Sequence, residues 1–428
     1  MEYSCNTYQL QCNECGRTFG NRAISGCPDC FAPLEIHYDL AEIKRIGRFT
    51  KAAITAGPLN IWRYAGLLPI PEGFEPELPV GFTPLIQARN LGKRIGAQNL
   101  FLKNDSFCFP TLSFKDRVVA VALANARKFG FTTVGCSSTG NLANSVAAQA
   151  ARLGLQATIL VPADLEPAKI LNTLVYGARL IRIDGNYDHV NRLCTLIAEE
   201  YNWGLVNVNL RPYYAEGSKT QGYEIAEQLG WRLPDNIVCP MAGGSLIRKI
   251  RKAFNELIAL GLVEEKPVKF FGAQATGCSP IAHSVREGWD HIEPQRPSTI
   301  ARSLAIGNPA DGPAASKMIR STGGWAEHVS DCELVSGIQE LAETEGIFTE
   351  TAGGVTTAVT ARLYAQGRIQ RDETTVVCIT GNGLKTTDAI ADRYHAEFSA
   401  RAVRPRLTDF AEYLAELNGM QESALTAV

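Results

Sequence analysis

No run of 18 or more apolar residues occurs in the chain, so no membrane-spanning helix is expected. The opening stretch MEYSCNTYQLQCNEC has neither the positive start nor the apolar stretch of a secretory signal, and a cytoplasmic location is expected. Basic residues are not in excess: 42 Lys and Arg against 44 Asp and Glu leave a formal charge of −2. A general nucleic-acid binder carries a basic excess or patch, so neither nucleic acid nor membrane is expected as a partner. Histidine is scarce, and His37, His189, His283, His291, His328 and His395 form no metal-spaced cluster. Internal repeats and low-complexity tracts are missing too. With 45% hydrophobic and 20% charged residues, the disordered, collagen-like and coiled-coil classes are excluded. What remains is a globular chain of 428 residues, long enough for two or more domains.

Cysteine is not scarce, and it is unevenly placed. Five of the 12 cysteines stand in the first 36 residues, where the charged side chains sum to −2. Without a secretion signal they read as thiols or metal ligands, not as a disulfide framework. Cys12-x-x-Cys15 and Cys27-x-x-Cys30 are separated by 11 residues. Two such turns brought together offer four thiolates to a closed, tetrahedral zinc site. Gly16, Gly20 and Gly26 supply the turns. Residues 1–36 therefore read as a zinc ribbon whose metal is structural, since four protein ligands leave no position for substrate. An empty or redox-active thiol set is the alternative. Cys5 reads as a spare thiol.

A connector follows, with Pro69, Pro71, Pro76, Pro79 and Pro84. From about residue 99 strand-like and helical runs alternate. Strands are expected at Asn99–Lys103, Thr132–Cys136, Gln156–Val161, Ala178–Ile183, Asn236–Cys239, Lys269–Ala273 and Thr374–Ile379. Helices are expected at Lys115–Phe129, Gly140–Leu153, Asp188–Glu200 and Glu216–Leu229, with a short surface helix at Leu407–Leu417. Gly130, Gly154, Gly177, Gly230 and Gly261 stand where left-handed residues close helices. The alternation implies α/β architecture with mainly parallel sheets. Ligands bind beyond the carboxyl ends of such strands, so chemistry is sought in the loops that follow them.

Four loops carry it. Ser113-Phe114-Lys115-Asp116-Arg117 opens a helix, with Ser113 a candidate N-cap. Lys115 falls in the first turn, where the helix dipole favours the neutral amine that Schiff-base chemistry needs. Taken alone, it would read as an exposed lysine paired with Asp116. Ser137-Ser138-Thr139-Gly140-Asn141 offers hydroxyls and amides at a helix N-terminus, an anion site. Ala242-Gly243-Gly244-Ser245-Leu246 exposes backbone amides that can cradle a phosphate. No Gly-Lys-Ser/Thr follows, so a nucleotide P-loop is disfavoured. Thr380-Gly381-Asn382-Gly383 sets a hydroxyl before a tight turn.

Together these segments resemble pyridoxal-phosphate enzymes of the tryptophan-synthase-β fold type, and within them the threonine synthases. Ser-Phe-Lys-Asp-Arg at 113–117, Ser-Thr-Gly-Asn at 138–141 and Thr-Gly-Asn-Gly-Leu-Lys at 380–385 carry the resemblance, which spans about residues 80–395. It implies two doubly wound, mainly parallel domains with the cofactor between them. These are a large one from 37–112 and 212–428 and a small one from 113–211. It implies a lyase that converts O-phospho-L-homoserine and water to L-threonine and phosphate, as a homodimer. Lys115 would hold pyridoxal 5′-phosphate, Asn141 its 3′-oxygen, Ala242, Gly243, Gly244, Ser245 and Leu246 its phosphate, and Thr380 its ring nitrogen. Ser138 and Thr139 would hold the substrate's anionic groups. Lys103 and Arg211 are candidates for its phosphate, against the plain reading of both as surface charges. The phosphate loop departs from the family's Gly-Asn-Ala-Gly-Asn, because Ala242 opens it and the asparagines are missing. Glu350 and Asp388 follow site-facing loops without an assigned role. The rivals are a cysteate-synthase-like enzyme acting on phosphoserine and sulfite, and a non-catalytic zinc-ribbon regulator.

Overall fold

A computed structural model describes residues 8–24, 26–71, 74–163, 170–185 and 187–426. Cys5 lies outside the described residues. Three sheets organise the chain. The first is a small antiparallel ribbon of β1 (Tyr8–Cys12), β2 (Thr18–Phe19) and β3 (Leu34–Tyr38), in the order β2-β1-β3. Its alternating Leu10, Leu34 and Ile36 are buried.

The second sheet has six strands. These are β4 (Leu85–Gln87), β5 (Asn99–Asn104), β10 (Asn236–Pro240), β11 (Lys269–Ala275), β12 (Trp325–Val329) and β13 (Thr374–Ile379), in the order β12-β11-β10-β13-β5-β4. Only the edge strand β4 runs antiparallel. The third sheet is all parallel. It holds β6 (Thr133–Cys136), β7 (Gln156–Pro162), β8 (Arg179–Ile183) and β9 (Gly204–Leu205), in the order β8-β7-β6-β9. Strands buried on both faces are apolar throughout, as in Ile237–Cys239 and Val376–Ile379.

All seven expected strands form, within two residues at each end. The glycines at 130, 154, 177, 230 and 261 have φ between 67° and 77°. Two expectations need correction. The run Glu216–Leu229 is not one helix: α3 (Arg211–Gly217) and α4 (Lys219–Gln228) meet at Ser218. Ser113 does not cap its helix. α1 (Lys115–Lys128) starts from Phe114 with no side-chain cap, and the Ser113 hydroxyl is buried without a hydrogen-bond partner. The main chain of Ser113 bridges to Gly381 instead.

The chain divides into two compact units, Met1–Lys385 and Thr386–Val428. The second contains Asp388, short 3-10 turns and a helix, Leu407–Thr426, longer than expected. Within it Arg401 pairs with Glu416 at 2.8 Å and Arg404 with Asp409 at 3.0 Å.

Beneath the start of α1 lies a buried ion network. The guanidinium of Arg117 donates to Asp105 twice at 2.8 Å, to Glu224 at 2.5 and 2.8 Å, to Thr83 at 2.9 Å and to Thr220 at 3.1 Å. Lys103 pairs with Glu224 at 2.6 Å. Burial pushes the Glu224 carboxyl up, but Arg117 and Lys103 overcome it and hold the group at about 2 rather than 4.5. A depressed carboxyl contributes stability above its unfolded value and loses it as pH falls through its folded one. Glu224 is therefore expected to contribute about 3 kcal/mol at neutral pH, lost as pH falls from about 4.5 to about 2. Urea unfolding from pH 6 to pH 2 measures this. A stability independent of pH across that window would contradict it.

Candidate active site

The loops after β5, β13 and β6 converge. Phe114 N donates to Thr380 O at 2.9 Å, and Asn382 N to Leu112 O at 3.1 Å, which ties the start of α1 to the end of β13. Lys115 does not pair with Asp116. That carboxylate is buried and accepts from the amide and hydroxyl of Thr111 at 2.9 and 2.7 Å. The Lys115 amine donates instead to the Tyr214 hydroxyl on α3 at 3.0 Å.

Asn141 begins α2 (Asn141–Leu153), after the β6 loop. Its Nδ2 donates to Glu350 at 2.7 Å, and its Oδ1 accepts from Lys385 at 3.0 Å. Thr380 donates to the other Glu350 oxygen at 3.3 Å. Glu350 thus joins Asn141 to Thr380, at the N-cap of the helix Thr351–Ala365. Burial raises its carboxyl above the usual range, against the pull of Asn141, Lys385, Thr380 and Lys115. Burial likewise lowers Lys385, against the attraction of Glu350 and Asp116. Gly381 is required here: a Cβ would fall 2.6 Å from the Glu350 carboxylate.

Ala242–Leu246 leads into α5 (Ser245–Ala259). Gly244 has φ +89° and a Cβ there would meet Ala315 at 2.9 Å, so glycine alone fits. A Cβ on Gly243 would meet nothing nearer than Ile306 at 4.0 Å, so this side of the loop is open. First-turn amides of α5 have no intrahelical acceptor, which makes its N-terminus an anion site.

Arg211 is partly exposed and pairs with Asp311 at 3.1 Å, which also holds Arg248 at 2.8 Å. Asp311 O lies 3.2 Å from the Cβ position of Gly244, so this arginine pair borders the loop. Lys103 is placed differently from a surface charge or a phosphate ligand. Its ammonium is fully buried and bound by Thr83 O, Gln228 and Glu224. Ser138 accepts from Gly140 N at 3.3 Å, and Ser138 and Thr139 both stay partly accessible. Sequence reasoning missed Tyr214 and Lys385 and gave Glu350 no role. Glu350 had one signal, a carboxylate directly before an apolar helix.

A family model of pyridoxal-phosphate dependent enzymes matches residues 76–381. The chain belongs to this family. It is 37% identical over 382 residues to a threonine synthase of Methanocaldococcus jannaschii, covering 89% of this chain and 93% of that one. A threonine synthase of Methanosarcina acetivorans is 36% identical over 389 residues, covering 90% and 94%. Among solved structures, maize serine racemase aligns with a TM-score of 0.59 at 22% identity, over 74% of this chain and 93% of that one. Threonine deaminase isoform 2 of Solanum lycopersicum aligns at 0.61 and 20%, over 86% and 90%. Those structures share the fold, and the protein is an enzyme of the pyridoxal-phosphate-dependent lyase type with mainly parallel α/β sheets.

The residues present fit that cofactor. An amine at Lys115, an amide at Asn141, a hydroxyl at Thr380 and an open helix N-terminus after Gly244 match its aldehyde, its 3′-oxygen, its ring nitrogen and its phosphate. The buried, unpartnered Ser113 hydroxyl lies two residues before the lysine.

In the ribbon, the sulfurs of Cys12, Cys15, Cys27 and Cys30 all lie within 4.8 Å of one another. Cys12 to Cys30 measures 3.3 Å and Cys15 to Cys27 3.7 Å. A zinc tetrahedron with bonds of about 2.3 Å has sulfur–sulfur edges of about 3.8 Å. The set fits the metal. No helix among the described residues is long and apolar enough to cross a membrane.

Proposed function

We propose that the protein converts O-phospho-L-homoserine and water to L-threonine and phosphate, as a cytoplasmic enzyme of threonine biosynthesis. The observation that carries this is its nearly end-to-end likeness to threonine synthases, at 36–37% identity. Bound pyridoxal phosphate supplies an electron sink for charge that develops on substrate carbon. Lys115 would hold the aldehyde and, once free, carry protons to and from the substrate's α and β carbons. Asn141 would donate to the 3′-oxygen; Lys385 on its carbonyl oxygen fixes which way the amide faces. Thr380 would face the ring nitrogen with its hydroxyl held by Glu350. Arg211, Ser138 and Thr139 would take the anionic groups of the substrate. Because Lys103 is enclosed in its ion network, that role passes to Arg211 alone of the two cations.

A substrate panel tests the reading. Phosphohomoserine should yield threonine and phosphate. Cysteate from phosphoserine and sulfite would favour the rival enzyme instead, and no product from folded, cofactor-loaded protein would favour a regulator.

The four cysteines would hold one structural zinc per chain. Elemental analysis of freshly purified protein should find one equivalent, and a metal-free result would remove the site. The ribbon is not a loose appendage: Lys252 donates to Ile36 O, and Arg248 pairs with Glu35 at 2.9 Å. Chelation is therefore expected to loosen the packing on α5.

A further inference from the structure

Helix α3 is seven residues long, too short to hold its place by backbone bonds alone. Its side chains anchor it. The Tyr213 hydroxyl donates to Arg22 O in the ribbon at 2.9 Å. Glu216 is fully buried among Lys219 at 2.7 Å, Lys249 at 2.8 Å and Lys252 at 2.8 Å. Gly217 packs so closely on α1 that a Cβ would fall 2.4 Å from Arg117 O. Between these anchors stands Tyr214, whose hydroxyl accepts from Lys115 Nζ at 3.0 Å. The same amine lies 5.1 Å from the ring centroid of Phe114 and 5.7 Å from that of Tyr214.

We infer that Tyr214 is a positioning residue for the Lys115 amine: its phenol oxygen aims the lone pair and favours the amine once it has taken a proton. The inference rests on the reading of Lys115 as cofactor lysine and proton carrier. A neutral amine has two N–H bonds and one lone pair. Donating one N–H to Tyr214 fixes rotation about Cε–Nζ and leaves the lone pair two directions instead of three. When the lone pair takes a proton from substrate, the C–H bond breaks, its electrons stay on carbon, and a third N–H bond forms. The bond to Tyr214 then becomes charge-assisted and stronger. Two aromatic rings beside the ammonium add a cation–π contribution.

The test uses Tyr214→Phe, which keeps the ring and its packing and removes only the oxygen. In cofactor-free protein, acetic anhydride labels neutral amines, and peptide mass spectrometry reads the extent at Lys115 against pH. Without the phenol oxygen the neutral amine persists to lower pH, so the labelling profile should move to lower pH than in the parent. In the loaded enzyme kcat should fall about 10-fold, or about 1.4 kcal/mol of barrier, with KM changed less than about 2-fold. Tyr214→Leu, which also lacks the oxygen, should shift the profile in the same direction and covers the case of a poorly folded phenylalanine variant. An unmoved labelling profile in both variants overturns the inference. Borohydride reduction of the loaded parent separates the two levels. Cofactor fixed to Lys115 with an unmoved profile overturns the role of Tyr214 alone. Cofactor fixed to another residue overturns the reading of Lys115, and this inference with it.

Discussion

Lys115→Ala is expected to abolish turnover while leaving a folded protein. Methyl replaces an amine that donates to one partner, Tyr214, and takes no part in the buried ion network below it. Helix α1 should therefore form normally, and alanine suits its first turn. Two functions disappear together. On the proposed reading, the cofactor would lose its covalent anchor and keep only the contacts to its phosphate, ring nitrogen and 3′-oxygen. On the same reading, the substrate would also lose the amine that carries its protons. A drop of at least about 10,000-fold in kcat/KM is expected, equal to about 5.5 kcal/mol. The checks are a rate measurement with added cofactor and a circular dichroism spectrum matching the parent. Turnover within 10-fold of the parent would falsify the assignment of Lys115.

Lys115, Asn141 and Thr380 were discernible as candidates because each stands in a local motif, directly after a strand or at a helix start; the structure joins Asn141 and Thr380 through Glu350 and sets Lys115 against Tyr214. The cysteines were discernible for the same reason: their paired spacing offers four thiols, and the structure gathers those four sulfurs within 4.8 Å of one another. Tyr214 was not, because it lies 99 residues from Lys115 and meets it only when the two sheets are assembled. Reading Glu216–Leu229 as one helix hid it further. The true break at Ser218 sets Arg211–Gly217 apart as a short element with its own partners. Lys103 misled for a related reason. A cation at the carboxyl end of a central strand looks like a ligand for an anion. Its actual partner, Glu224, lies on α4, more than 100 residues away. One hint was present: Glu224 interrupts the apolar run Tyr223–Ala226, where a carboxylate can be buried only against a cation. β12 was missed because Trp325–Val329 is short and carries Glu327 and His328 within it. Strand order also escaped the sequence. β13 lies between β10 and β5, a neighbourhood set by tertiary packing.

Arg117→Met should be the most destabilising single change around the site. The side chain is fully buried, and its donors meet Asp105, Glu224, Thr83 and Thr220. Methionine fills much of the volume but leaves two buried carboxylates facing one remaining cation, Lys103, which pairs with Glu224 and not with Asp105. Removing one partner of a buried ion pair costs about 3–5 kcal/mol, because the other charge stays desolvated. Part of that cost is relieved when Glu224, freed from the pull of Arg117 and still pushed up by burial, takes up a proton, so the variant should lose less stability at pH 5 than at pH 8. Arg117→Lys separates charge from shape. It restores a cation but not the planar fork that reaches two carboxylates at once, and should recover less than half of the loss. Urea unfolding of parent and both variants at the two pH values measures all three expectations. Because Arg117 stands two residues after Lys115 on α1, the same loss should blur the position of the lysine and raise the pH sensitivity of cofactor retention. A loss below about 1 kcal/mol for Arg117→Met, within the range of an exposed pair, would mean that the network does not act as one buried unit.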